Sequence, residues 1–124
     1  MEDIISVSQK IQEKIKTLEL GRSLLKERAE EKAYAIGEYE KTLAKTLIGL
    51  KNGKEYELEG EKIQNPPASY TEKIARGLCY QEKITAELGE MGYKNAIVGM
   101  QAISCELQGF QSIFRYLEHT GEEE

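Results

Sequence analysis

From Ile4 onward the apolar positions advance in alternating steps of four and three: Ile4, Ser8, Ile11, Ile15, Leu18, Arg22, Leu25, Ala29, Lys32, Ile36, Tyr39, Leu43, Thr46 and Leu50. Ten of these fourteen are apolar. A seam of that period, held for roughly six heptads, fits an α-helix of coiled-coil type and not the two-residue period of a strand. No proline interrupts it. Gly21 and Gly37 each weaken such a helix by about 1 kcal/mol relative to alanine, with Gly21-Arg22-Ser23 the place for a kink, but the phase carries through both. Read over residues 2–50, the helix is roughly 65–70 Å long at ~1.5 Å per residue.

The pattern breaks at Gly49-Leu50-Lys51-Asn52-Gly53-Lys54. Asn-Gly is a strong turn signal, and Tyr56 and Leu58 then alternate with glutamates as a short strand does. Asn65-Pro66-Pro67 forbids helix continuation. Residues 51–68 therefore read as a connector holding a small β-hairpin or extended pair, with too few apolar residues for a core of its own. Ser69-Tyr70-Thr71-Glu72 has the form of a capping box and starts a second helix, read over 69–119.

In that helix Tyr93, Ala96, Met100, Ile103, Leu107, Phe110, Phe114 and Leu117 again step by three and four. A weaker apolar edge, Val98, Ala102, Cys105 and Ile113, runs beside them. Gly89, Gly92, Gly99 and Gly109 either permit close helix approach or break the helix around Gly89-Glu90-Met91-Gly92, where a bend is expected. The expected architecture is mainly all-α: one domain over 1–124, built as a long antiparallel helical hairpin with a small β connector and an acidic tail at 120–124. The seam of the first helix covers one edge of the second and leaves Val98, Ala102, Cys105 and Ile113 wet. An exposed apolar stripe several turns long marks an interface, so a homo-oligomer or a stable hetero-partner is expected.

Composition narrows the chemistry. The 124 residues hold 17 Lys+Arg against 22 Asp+Glu, a formal net charge of -5, which excludes a uniformly basic nucleic-acid binder and leaves room for a local basic stripe. No secretory signal and no 18-residue apolar run are evident, so a cytoplasmic protein without a membrane span is expected. Cys79 and Cys105 lack metal or redox spacing, each lies inside an apolar helical pattern, and they read as buried reduced thiols. The only histidine, His119, falls at the expected helix end, where an imidazole caps carbonyls. Lys51-Asn52-Gly53-Lys54 is not a phosphate loop. Glu55, Glu57, Glu59 and Glu61 read as the solvated face of a strand. No catalytic set, cofactor or metal is expected, and a two-helix hairpin encloses no pocket for paired carboxylates.

Charge placement says more. Lys10, Lys14, Arg28 and Lys32 fall within about 40° of one another on one flank of the first helix, with Glu13, Glu19, Glu27, Glu30, Glu31 and Glu38 on its far side. The basic flank either pairs across the hairpin with the more acidic second helix or forms a positive track that follows a nucleic-acid backbone. Tyr34, Tyr39, Tyr70, Tyr80, Tyr93 and Tyr116 supply rings that pack in a core or stack on unpaired bases.

The stretch Tyr39-Glu40-Lys41-Thr42-Leu43-Ala44-Lys45, the Asn52-Gly53 turn and the closing Gly109-Phe110-Gln111-Ser112-Ile113-Phe114-Arg115-Tyr116-Leu117 resemble small phage-encoded helical-hairpin proteins of early replication and recombination regions. The plan over about residues 25–118 is similar to the recombination mediators of T-even phages. The resemblance implies a ring-forming, non-enzymatic protein that binds single-stranded DNA and helps load a recombinase. The sequence thus frames three functions: an accessory protein of phage replication or recombination that handles single strands or a recombination protein; an anti-defence inhibitor whose acidic surface occupies a host defence protein; and a structural coiled-coil adaptor.

Overall fold

The computed structural model describes residues 3–123, with side chains as far as residue 120. Met1, Glu2 and Glu124, at the ends of the expected first helix and acidic tail, lie outside the described residues. The fold is mainly α-helical with one small two-stranded sheet. Helix α1 spans Ile4–Lys51 without a break, through both Gly21 and Gly37. Asp3 caps its start: its carboxylate accepts the Ser6 N–H at 2.7 Å, and its carbonyl accepts the Val7 N–H at 3.1 Å. The Asn52-Gly53 turn is its stop. Gly53 takes φ +80°, its N–H donates to Leu50 O, and the Lys54 N–H donates to Gly49 O at 2.9 Å. Those two bonds make a Schellman motif and satisfy the last carbonyls of the helix.

Strands β1 (Tyr56–Leu58) and β2 (Glu61–Ile63) form an antiparallel hairpin. The turn is Glu59-Gly60, with φ of 48° and 85°. Two successive left-handed residues suit a two-residue hairpin turn, although the first is a glutamate where asparagine or glycine is the usual solution. Register pairs Tyr56 with Ile63, Glu57 with Lys62 and Leu58 with Glu61. The four alternating glutamates are therefore not one solvated strand face: chain reversal puts Glu59 in the turn and Glu61 on the side of Leu58, opposite Glu57. The Gln64 amide donates to Gly53 O at 2.9 Å, tying the hairpin's exit to the end of α1.

The second helix differs from the sequence expectation in two ways. Its first part, α2, spans Thr71–Leu78 and has Tyr70 as N-cap with no side-chain cap bond. Ser69 does not cap it. The turn after Pro66-Pro67 closes on Pro67 O, which accepts the Tyr70 N–H at 2.9 Å and the Thr71 hydroxyl at 3.2 Å. Glu72, the other half of the expected capping box, reaches Arg76 at 2.6 Å instead. The helix then breaks once, at Cys79 (φ -97°, ψ 23°), and α3 runs over Tyr80–Glu123. Helical structure continues through Gly89–Gly92, so no break occurs there.

The contacts fall into two compact units, Met1–Arg28 with Gly92–Glu124, and Ala29–Met91. In the first unit α1 and α3 lie antiparallel, with Lys10 over Phe110, Lys14 against Glu106 and Gly21 beneath Met100, so that partners descend α3 as they climb α1. Val7 is fully buried. In the second unit Lys83 Nζ lies 5.2 Å from the Tyr39 ring centroid, and the core collects Leu50, Thr46, Thr71, Ala75, Cys79 and Ala86. The Thr46 hydroxyl donates to Thr42 O at 2.8 Å and sits 3.5 Å from Cys79 Sγ, so its burial leaves no orphaned oxygen.

Two residues with no side chain to speak of decide how close the helices come here. A Cβ on Gly89 would stand 3.2 Å from Lys32 Cα and 3.7 Å from Ala35 Cβ. Close approach, not a break, is what Gly89 provides, and Ala86 a turn earlier continues the same narrow face.

Candidate functional site

The four basic residues of α1 lie toward α3 instead of away from it. Lys10 Nζ sits 5.5 Å from the Phe110 ring centroid, and Lys14 Nζ contacts Glu106 at 2.5 Å with its side chain 29% exposed. Arg28 and Lys32 are half-buried. In the first unit Arg28 Cδ lies 3.8 Å from where a Gly92 Cβ would stand, and in the second Lys32 backs onto Gly89. Lys10 and Lys14 are thus held by cross-helix contacts, a cation over a ring and an ion pair.

The seam on α3 is packed: Tyr93, Ala96, Met100, Ile103, Leu107, Phe110, Phe114 and Leu117 are all half-buried. The edge Val98, Ala102, Cys105 and Ile113 is exposed, Val98 at 62%. Ile113, about 60° from Phe110, lies beside the seam, but the other three do not. At about 100° per residue Val98 is about 200° from Ala96, so Val98, Ala102 and Cys105 occupy the opposite side of the helix. Tyr116, also exposed, shares that side. A four-three count finds the second edge and not its angle to the first. Within the second unit, Ile84, Leu88 and Met91 are exposed on α3 as well.

In the first unit a groove of about 460 Å³ is lined by Leu20, Gly21, Leu24, Gly99, Met100 and Ile103. Leu20 forms its rim with 73% of its surface exposed. Sequence counting missed this groove, because glycine at 21 and 99 carries no hydrophobic weight. In the second unit a cleft of about 410 Å³ opens under the hairpin, lined by Leu58, Glu59, Glu61, Gly77 and Tyr80.

The chain exposes 9307 Å², whereas a globular monomer of its 14.1 kDa exposes about 6,700 Å². Only a little over half of the unfolded chain's surface is hidden, less than the ≈ 60% typical of a domain half this size.

Tyr34, Tyr70, Tyr80 and Tyr116 are exposed, while Tyr39 and Tyr93 are half-buried. Cys79 is buried as expected, but Cys105 is exposed because it stands on the side of α3 turned away from the packed seam, and neither is in a disulfide. His119 lies on α3, which continues past it to Glu123. Among the described residues no group of three or more His, Cys, Asp or Glu converges to hold a metal, and no helix is long and apolar enough to cross a membrane. No family model matches the chain, and no curated protein or solved structure matches it either.

Proposed function

We propose that this chain is a non-enzymatic binding protein that works through the outward side of α3. In this reading it is a phage or prophage accessory protein of DNA replication or recombination. It acts in the host cytoplasm as a homo-oligomer and handles a recombination protein more than the bare single strand. The observation that carries the reading is Val98, Ala102, Cys105 and Tyr116, standing exposed on the side of α3 opposite its packed seam. A one-sided apolar face on a chain that hides so little surface is best explained by a protein partner. The engagement of Lys10 and Lys14 by Phe110 and Glu106 supports a protein target over a DNA track.

The test is light scattering at micromolar concentration. The parent protein is expected above monomer mass, and Val98→Glu with Ala102→Glu is expected to return it to monomer, because burying unpaired carboxylates costs several kcal/mol. A monomeric parent would overturn the homo-oligomer. A second measurement addresses DNA directly. Changing Lys10, Lys14, Arg28 and Lys32 to glutamine is expected to lower stability modestly, by about 0–1 kcal/mol per pair. It should leave the anisotropy of a short fluorescent single strand unchanged. Salt-dependent binding that the substitutions flatten would restore single-strand handling as the main activity.

A second reading is favoured by the exposed carboxylates Glu57, Glu59 and Glu61 on the hairpin: an anti-defence inhibitor that presents its acidic surface to the basic site of a host defence protein. It would gain from tight, salt-sensitive binding to such a protein and from flow-through on heparin.

A further inference from the structure

We propose that the cleft under the β1–β2 hairpin is a receptor for a basic side chain, an arginine presented by a protein partner. The inference does not draw on the outward side of α3; it shares Glu59 and Glu61 with the second reading and deepens it, and the peptide titration below tests the cleft without any defence protein.

The cleft has two kinds of wall. Leu58, Gly77 and Tyr80 make an apolar and aromatic floor, with Leu58 Cδ2 3.9 Å from the position of a Gly77 Cβ. A Cβ at 77 would touch Leu58 at ordinary contact distance, so the glycine leaves that part of the floor as bare backbone. Tyr80 offers a ring that is 47% exposed. Above them stand two carboxylates. Register puts Glu61 directly across from Leu58 on the same side of the sheet, and the left-handed turn carries Glu59 at the tip.

Among the described residues neither carboxylate has an ion-pair partner, and three cations of the hairpin and of α2–α3 are directed elsewhere, while Lys73, one turn before Gly77, is exposed. Lys62 is on the other side of the hairpin with Glu55 at 3.7 Å. Arg76 is held by Glu72 at 2.6 Å, and Lys83 by Glu87 at 3.6 Å. The cleft therefore presents two negative charges over an apolar floor.

A hard divalent cation needs six or more oxygens and gains nothing from such a floor. A guanidinium matches every part of it. Its three-carbon stem packs on Leu58 and the bare backbone of Gly77, its plane stacks on the Tyr80 ring, and its fork donates to Glu59 and Glu61. The volume of about 410 Å³ falls in the range of side-chain and small-ligand clefts.

The probe is the blocked tripeptide acetyl-Gly-Arg-Gly-amide, titrated into the full chain and followed through backbone amide shifts. Its uncharged citrulline counterpart and its lysine counterpart run beside it. Saturable shifts are expected at residues 58–61, Gly77 and Tyr80, with a dissociation constant on the order of 1 mM. The citrulline peptide should give none, and the lysine peptide should bind severalfold more weakly. Glu59→Asn combined with Glu61→Gln should weaken the arginine peptide at least about tenfold. Asparagine suits the left-handed turn better than glutamate, so this variant should melt no lower than the parent, which separates loss of the site from loss of the fold. Shifts that persist in the double variant would overturn the proposal, as would shifts spread over the glutamates of α1 and α3 or reproduced by citrulline. Equal binding of the lysine peptide would overturn the assignment to arginine.

Discussion

Gly89→Leu is expected to be among the most damaging single changes in the chain, lowering the melting temperature by about 10 °C. The added side chain would start 3.2 Å from Lys32 Cα, which is backbone and cannot rotate away. The helices must separate, and overpacking of this kind costs about 1–3 kcal/mol, each of which moves the midpoint by several degrees in a domain near this size. Gly37→Ala is the control. A Cβ there meets nothing within 4 Å, so the substitution gains helix propensity of about 1 kcal/mol and should raise the midpoint by a few degrees. Thermal melts followed at the helical circular dichroism band check both. Shifts of the same sign at the two positions would remove close approach as the role of Gly89.

Leu50→Ala should cost about 2–4 kcal/mol, because a leucine only 2% exposed loses its packing and leaves a void. The residue sits in the last turn of α1, and its carbonyl accepts the Gly53 N–H. Loss of packing there should also loosen the Schellman motif. Urea melts are expected to show a lower midpoint with an unchanged slope, and hydrogen exchange should quicken first at Gly53 and Lys54. A loss below about 1 kcal/mol would mean that the hairpin and helix end rest on something other than this side chain.

Much of the fold was legible in the seam of α1, whose positions from Leu25 to Leu50 are buried or half-buried. The seam drifts toward the N-terminus. Ile15 and Arg22 are exposed, while Val7, Lys14, Gly21 and Arg28 turn inward. A helix of 3.6 residues per turn slips about 20° per heptad against a strict 3.5 count, and over several heptads that slip replaces one column of residues by its neighbour. It explains why Lys14 and Arg28, read as a basic flank, are less exposed than a solvated flank would be.

The packing of the second helix was hidden for a different reason. Thr71, Ala75, Cys79 and Ala86 form its buried side, and small residues count for little in a search for large apolar ones. The break at Cys79 carries no proline or glycine at the residue itself to announce it. The hairpin was legible as an element, but the cleft beneath it depends on register. Only the two-residue turn at Glu59-Gly60 brings Glu61 alongside Leu58.

The large exposed area has a calorimetric consequence. Unfolding releases only about four-fifths of the surface that a globular chain of this mass would release, so the heat-capacity increment should fall to about 10–12 cal/mol/K per residue. A smaller increment flattens the dependence of free energy on temperature. The isolated chain should therefore hold a modest stability over a broad span between cold and warm, without a sharp optimum.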